Sequence, residues 1–381
     1  MSGEDFVSNE YESSTPELME TNRTVSALPG QPGFGWFSES EFSEELRALI
    51  ARPDLEDFFV SAPQAATALQ QTGARLADRA YRDNDLEALF QVHKSLYLLY
   101  EDNLRPSGQS VAFNQYNPHL IGLRNTLERR WETFEANRAS VAPGSVPADP
   151  DGFRAFFKEL SASHPMVGHR LFDFLVSEAT RDDLISFFLS DAAVIVRFCD
   201  LVVLSMVGVE DEIRPELADN FWDEMGRGKF QERHVHLYRD LLEYVGINLS
   251  GDTLAAEDFS DHLKWQGLAG YNLYLFLCLH RKNQFRSLGA LGAAEMMDPD
   301  QYGKVLAGCQ RVGLEDEDKL AYYSGHAEID VAHGDGWCEN VLLPLVLKYP
   351  ERRHEIVQGA LMRMNITHDY YDELYERLSS R

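Results

Sequence analysis

The sequence predicts an all-α protein, and three observations favour that class. Apolar residues recur at intervals of three and four over most of the chain. No segment shows the sustained alternation of apolar and polar residues that is typical of a strand. With 44% hydrophobic residues among 381, the chain can bury the core of a helical bundle. No repeat of fixed period is visible, which argues against a solenoid.

The predicted helices follow one another along the chain. The first begins after residues 38–41, where polar residues precede an apolar run through Leu46 and Ile50. Three more are predicted over residues 63–81, 84–104 and 119–139. Beyond residue 150, helices are predicted at 151–161, 164–179, 181–207, 215–225, 232–245, 257–267, 272–297, 299–312, 319–333 and 341–349, with two more before residue 381.

Composition divides the chain into four parts. Residues 1–35 are rich in Glu, Ser, Thr, Gly and Pro, so we expect a disordered acidic tail. Residues 141–150 are dense in Pro, Gly and small side chains, which indicates a linker. The prediction is therefore an N-terminal helical segment over 36–140 and a larger helical domain over 151–381.

The net charge of −27 limits the partners of this protein. Nucleic-acid phosphate and anionic membrane surfaces would be repelled over most of its surface, whereas a cationic substrate is permitted. The most apolar run, 194–209, contains Arg197 and Asp200 and is too short to span a bilayer. Residues 1–5 are acidic and lack the apolar stretch of a secretory signal, so we expect a cytoplasmic protein.

The cysteines also indicate a reducing compartment. They lie far apart and form no CxxC pair, so neither a zinc knuckle nor a disulfide framework is expected. We expect buried free thiols at Cys199, Cys278, Cys309 and Cys338.

A candidate metal-binding face lies on the predicted helix 319–333. At about 100° per residue, His326, Asp330 and His333 fall within roughly 60° of one another. Imidazole nitrogen and carboxylate oxygen together suit iron, manganese or zinc. The alternative is a solvated helix face on which these residues stack by chance.

Glu224 and His234 form a second candidate pair. On an unbroken helix, ten residues would leave them about 80° out of phase. Gly226 and Gly228 break helices, so a kink between them could bring both side chains to one site. The alternative is a capped helix end with solvated charges.

Three further acids stand in apolar surroundings. Glu295 ends a run of small and apolar residues, so it is paired, bound to a metal, or exposed at a helix end. Asp191 and Asp200 lie within the apolar helix 181–207. Each could instead have a role without a metal: Asp191 could cap the local backbone, and Asp200 could form an ion pair with Arg197.

These motifs occur in a characteristic order. An apolar helix with embedded acids precedes NxxDExGxG and a downstream histidine, then an apolar helix ending in Glu295, then HxxxDxxH and a proline-containing helix. Over residues 153–378 this order resembles the heme-oxygenase-like diiron oxidases, also called iron-containing redox enzymes. The resemblance implies a heme-oxygenase-like helical bundle over 151–381, with the N-terminal helical segment as an addition. Asn220 and Trp222 match the motif and are expected to support the site or to pack.

The resemblance also implies two irons per chain, O₂ as co-substrate and six iron ligands. Some members add a seventh ligand, a Glu on the helix before NxxDExGxG, but helix 181–207 offers only Asp191 and Asp200. These are nine residues apart and face opposite sides, so at most one could reach the irons. The implied ligands are Glu224, His234, Glu295, His326, Asp330 and His333.

The expected function is N-oxygenation of a small-molecule amine in specialised metabolism, giving a hydroxylamine, nitroso or nitro product. The resemblance is to larger members that combine an N-terminal helical segment with a three-histidine core. Oxidative cleavage or desaturation of the carbon chain of an amino or fatty acid is the alternative. The non-enzymatic alternative is a helical binding scaffold with a vestigial metal site. We expect an external reductant and a homodimer, without nucleic-acid or membrane partners.

Overall fold

The computed structural model describes residues 36–106, 113–142, 144–249, 254, 256, 259–297 and 299–380, with the backbone alone at 297, 299, 300 and 326–332. Every regular element in these residues is helical, so the predicted all-α class is confirmed. The predicted tail, 1–35, lies outside the described residues. The α-helices are α1 (Phe42–Ile50), α2 (Leu55–Ser61), α3 (Pro63–Arg82), α4 (Leu86–Glu101), α5 (Pro118–Arg138), α6 (Pro150–Ser163), α7 (Arg170–Ser177), α8 (Arg181–Met206), α9 (Arg214–Glu224), α10 (His234–Tyr244), α11 (Trp265–Leu279), α12 (Gln284–Met297), α13 (Pro299–Arg311), α14 (Ala321–Gly336), α15 (Leu343–Lys348) and α16 (Arg353–Ser379).

The helices form a bundle with a second layer on one side. In the bundle, α16 packs along α12 and α11, α8 contacts α9, α10 and α11, and α14 contacts α10, α12 and α13. A π-helical turn, Trp337–Leu342, joins α14 to α15. The layer consists of α1, α3, α4 and α5, and it reaches the bundle where α4 packs on α11 and α5 packs on α16. A single cluster of buried apolar residues runs through both.

Two ion pairs join the N-terminal layer to the rest of the protein, one of them largely buried and the other with an exposed carboxylate. Arg197 on α8 donates to Glu101 on α4, with 2.6 Å between guanidinium nitrogen and carboxylate oxygen. The Lys94 ammonium, also on α4, lies 2.8 Å from an Asp261 carboxylate oxygen. Because unpaired buried charges are costly, the Arg197 and Glu101 pair favours one docked position of the layer. The division at residues 141–150 stays a prediction, although α6 does begin at Pro150.

Two predicted helices in the middle of the chain are wrong. The segment 272–297 is not one helix, because the backbone leaves helical geometry at His280 and makes a short 3₁₀ turn at Arg281–Asn283. Both α11 and α12 bury their faces in the same core, so the apolar periodicity continues across the break. In the predicted helix 257–267, the described residues contain a 3₁₀ turn at Ser260–His262 and only the first residues of α11.

Two helix ends were also predicted wrongly. The segment 164–179 becomes helical only at Arg170, because the His169 side chain accepts a hydrogen bond from the Leu171 backbone N–H and caps α7 there. The two helices expected before residue 381 are one, α16. Pro350 sits in a 3₁₀ turn after α15, and α16 then continues without a break.

Two predictions from composition can be compared with the described residues. All four cysteines are free; Cys278, Cys309 and Cys338 are buried and Cys199 is half-buried, so the thiols are placed as expected. Among the helices that the structure describes, none combines the length and apolar character needed to cross a membrane.

Glycines allow α12 and α16 to touch backbone to backbone. A Cβ atom at Gly289 would lie 1.9 Å from the carbonyl oxygen of Ile356, and one at Gly359 would lie 1.9 Å from that of Arg286. Only glycine fits at both positions, since neither helix can retreat without losing its packing. The crossing therefore fixes α12, which carries Glu295 less than two turns further on.

We expect Gly289→Ala and Gly359→Ala each to lower the free energy of unfolding by about 2 kcal/mol or more, because the added methyl group must push the two helices apart. Gly303→Ala on α13 is the control, since nothing lies within 4 Å of its Cβ position. It should be neutral or stabilise by up to about 1 kcal/mol. Urea unfolding measures all three variants, and equal effects would contradict the close crossing.

Candidate metal centre

A tight turn after α9 brings Glu224 and His234 together. Gly226 has a φ of 61°, and a Cβ atom there would lie 2.5 Å from the carbonyl carbon of Glu232. The chain thus folds back on itself in a way that only glycine tolerates. The result is a distance of 2.9 Å between the Glu224 Oε1 and His234 Nδ1 atoms. Both residues are buried, with 7% and 6% exposure.

Glu295 and His333 form a second buried pair, between α12 and α14. His333 Nδ1 lies 3.5 Å from Glu295 Oε2. Gly334 allows this approach, because its Cβ position is only 3.1 Å from the Glu295 carbonyl oxygen. The apolar run that ends in Glu295 is therefore interior, and the exposed-helix-end alternative is wrong for this carboxylate, which is 6% exposed.

Asp223 belongs to the site although the sequence analysis did not select it. Its Oδ2 atom lies 3.0 Å from His333 Nε2, and Arg227 donates to the same carboxylate. A carboxylate only accepts, so the imidazole carries its hydrogen on Nε2 and keeps the lone pair of Nδ1 for the Glu295 side. This arrangement, a carboxylate behind a histidine, is how proteins orient a metal-binding imidazole. The available signal was the position of Asp223 beside Glu224 in NxxDExGxG.

The other two motif residues differ in their surroundings. With its amide oriented to satisfy both neighbours, Asn220 donates to Glu295 Oε1 at 3.1 Å and accepts from the Trp337 indole N–H at 3.1 Å. Asn220 therefore orients a predicted ligand. Trp222 is 47% exposed, and its ring covers Gly228. Trp222 thus supports the turn rather than the carboxylates.

His326 and Asp330 lie on α14 with His333, as predicted. Their side chains fall outside the part of the chain that the structure describes. The helical backbone keeps them on one face with His333, because four and seven residues correspond to about one and two turns. Their role as ligands stays a prediction.

The two acids of α8 have different surroundings. Asp191 faces an internal cavity and accepts a hydrogen bond of 2.9 Å from the Tyr370 hydroxyl. Asp200 pairs with Arg197 at 3.1 Å, and its side chain is 46% exposed. Asp191 is therefore the acid on the cavity side, and Asp200 belongs to the interface with α4.

The cavity has a volume of about 140 Å³ and lies beside the two buried pairs. Glu224, His234 and Glu295 form part of its wall, and most of the rest comes from α8, α11, α13, α14 and α16. That remaining wall is rich in aliphatic side chains and tyrosines. Burial, together with the charge of Asp191, raises the pKa of Tyr370 well above its ordinary value, so its hydroxyl remains a neutral donor.

Another group of potential ligands lies at the start of α7. One ligand atom from each of His169, His368 and Asp372 lies within 4.8 Å of the others. His169 Nδ1, however, accepts from the Leu171 backbone N–H at 3.2 Å, so its hydrogen is on Nε2, which faces Asp372 at 3.3 Å. Arg170 also donates to Asp372. These bonds explain the cluster as a helix cap, with no lone pair of His169 left for a metal.

Comparison with known proteins gives one match. A sequence model of the family described as "Iron-containing redox enzyme" matches residues 186–368, which run from α8 into α16. The matched segment contains all six predicted ligands, together with Asp191 and Asp223. No curated protein matches this chain.

We expect Asp223→Asn to weaken the binding of ferrous iron by about tenfold or more, because the charge that orients His333 is lost. The control is Asp219→Asn on the same helix, since the Asp219 side chain is 62% exposed and lies 3.7 Å from Arg227. Anaerobic titration with ferrous iron measures both variants. Equal affinities for Asp223→Asn and the parent would remove Asp223 from the site.

Proposed function

Residues 186–368 of this chain belong to the iron-containing redox enzyme family, and we propose that the protein is a non-haem diiron oxygenase that N-oxygenates a small-molecule amine. The family description supports an oxidoreductase role and an iron cofactor. The second iron, the use of O₂ and the amine substrate belong to the proposal.

The observation that carries the proposal is the burial of two carboxylate and imidazole pairs beside one cavity. Glu224 with His234 and Glu295 with His333 offer oxygen and nitrogen donors, which suit iron. Carboxylates at 6% to 7% exposure are costly in an apolar bundle unless positive charge compensates them. With His326 and Asp330, three carboxylates would offset most of the charge of two ferrous ions.

The chain's own residues would prepare this site for chemistry. Asp223 holds the His333 ring with Nδ1 toward Glu295, and Asn220 holds the Glu295 carboxylate. Apolar side chains on the cavity wall, such as Val194, limit the water around the reacting groups. Bound there, two ferrous ions would supply the redox chemistry of O₂. Overall, one oxygen atom enters an N–H bond of the amine and the other leaves as water, with two electrons and two protons from an external reductant.

An amine is favoured over other substrates by charge. The cavity wall includes the Asp191 carboxylate and the Arg363 guanidinium in addition to the predicted ligands, together with several tyrosine rings. Carboxylates and the faces of aromatic rings both attract cations. The net charge of −27 also favours a cationic substrate.

One observation favours the alternative, oxidation of a carbon chain. The face of α8 toward the cavity carries Val194, Ile195 and Phe198, which suit an aliphatic substrate. That face also offers no glutamate as a seventh ligand. Cleavage or desaturation of an amino or fatty acid is therefore the second candidate.

The partners proposed are a small-molecule amine, a reductant and a second copy of the chain, in the cytoplasm. A binding scaffold with a vestigial site differs from both enzymatic proposals in one respect. Its metal content would not change when His333 is replaced by Ala.

We expect iron-loaded protein, given a reductant and isotope-labelled O₂, to add labelled oxygen to the nitrogen of at least one member of an amine panel. Mass spectrometry identifies the product. His234→Ala should lower turnover by at least about 100-fold, because it removes a predicted ligand. His236→Ala is the matched control, since its ring lies beside Phe230 instead.

Loss of a carbon fragment from the substrate would favour the alternative reaction. Absence of any O₂ consumption by the iron-loaded protein would contradict both enzymatic proposals.

A further inference from the structure

Three consecutive residues in the turn after α9 have left-handed backbone geometry. Gly226 and Gly228 have φ of 61° and 86°, and Arg227 between them has a φ of 50° and a ψ of 36°. Glycine adopts this geometry readily, whereas a residue with a Cβ atom is strained in it. Among the described residues, the only other non-glycine residue with a positive φ is Asn84, and asparagine tolerates this region better than arginine does. Arg227 is therefore an unusual residue at its position.

Close contacts on both sides hold the backbone of Arg227 in this conformation. A Cβ atom at Gly226 would lie 2.5 Å from the carbonyl carbon of Glu232, and one at Gly228 would lie 2.9 Å from the Trp222 ring. Strain of this kind persists only where the surrounding structure over-determines the backbone, and it clusters at functional sites. The strained residue at 227 thus calls for a role of its side chain.

The Arg227 side chain holds the carboxylate of Asp223 with two of its nitrogens. Nε contacts Oδ1, and Nη2 donates to Oδ2 at 2.9 Å. A contact at two points fixes the plane of the carboxylate as well as its position. The Asp223 side chain is 9% exposed and that of Arg227 is 58% exposed, so the guanidinium reaches a buried carboxylate from the surface. A glycine at 227 would relieve the strain but would remove this contact.

The same carboxylate orients His333, a predicted iron ligand. Oδ2 of Asp223, the atom that accepts from Arg227 Nη2, also lies 3.0 Å from His333 Nε2. Because Arg227 holds both oxygens, the carboxylate cannot turn about its Cβ–Cγ bond. The direction of its contact with the imidazole is therefore fixed.

We propose that Arg227 is a positioning residue for the metal centre: it holds Asp223 so that the His333 ring keeps Nδ1 directed toward the metal. The strain at residue 227 is retained because the guanidinium is needed at this carboxylate. Arg227 does not touch the metal ion, and it acts on iron binding through Asp223. This role rests on the metal centre of the proposed function, but not on the reaction proposed there.

The test compares Arg227→Gly, Arg227→Ala and Arg227→Lys with the parent by anaerobic titration with ferrous iron. Glycine and alanine both remove the guanidinium, so each should weaken iron binding by about threefold to tenfold, since a group that orients a ligand contributes to metal affinity. Lysine restores a charge that can donate to one oxygen but not to both, so it should recover part of the loss. Lys229→Gln is the matched control and should keep the parent affinity, since Lys229 follows in the same turn, is 68% exposed and pairs with Glu232.

Two further measurements separate positioning from a merely structural effect. In a protein that already carries Asp223→Asn, Arg227→Gly should weaken iron binding by less than about a further twofold, because the residue through which it acts is already changed. Urea unfolding of the metal-free variants should show a higher midpoint for Arg227→Gly than for Arg227→Ala, because only glycine is unstrained at this φ. The iron affinities of these two variants should nevertheless agree within about twofold.

Four results would overturn the inference: parent-like iron affinity in Arg227→Gly; an equal loss in Lys229→Gln; additive losses when Arg227→Gly is combined with Asp223→Asn; or a midpoint for Arg227→Gly no higher than that for Arg227→Ala. The proposed function fails separately. If the iron-loaded parent consumes no O₂ but its iron affinity depends on Arg227 as described, the positioning role stands without the oxygenase. If amines are N-oxygenated and Arg227→Gly keeps the parent affinity, the oxygenase stands without this role.

Discussion

The organisation of this protein depends on keeping carboxylates and imidazoles buried beside one internal cavity. Glu224 and Glu295 cannot lie inside an apolar bundle at low free energy unless hydrogen bonds and positive charge compensate them. The structure supplies hydrogen bonds through His234 and Asn220, and the His333 ring lies beside Glu295. A family match that implies iron is consistent with metal ions as the source of positive charge. The surrounding fold can be understood as the means of holding these groups in place.

Three features of the backbone hold them. The turn at Gly226 returns the chain so that α10 begins beside the end of α9. The glycine crossing of α12 and α16 fixes the helix that carries Glu295, and Gly334 lets α14 approach it. The N-terminal layer contributes more indirectly, because the pair of Glu101 and Arg197 fixes α8, which forms one wall of the cavity. Each of these features holds the site in place from outside the cavity.

The sequence predicted the helical class and several residues of the site for physical reasons that can be named. Apolar periodicity reports which face of a helix is buried, so it identified α8 and α14. It missed the break at His280, because α11 and α12 are buried in the same core and the apolar pattern continues from one to the other. Helix-breaking glycines indicated the turn between Glu224 and His234. The role of Asp223 was not predictable, because it depends on contact with His333 across 110 residues. Likewise, only the packing of α16 distinguishes Asp191 from Asp200.

The central claim is that this cluster of buried carboxylates and imidazoles binds two irons per chain. Anaerobic titration with ferrous iron, followed by removal of unbound metal and elemental analysis, tests it most directly. The account predicts two irons per chain for the parent and at most one for Glu295→Gln, because that variant keeps the shape of the side chain and loses a ligand charge. A parent that retains no iron, or an unchanged stoichiometry in Glu295→Gln, would contradict the account.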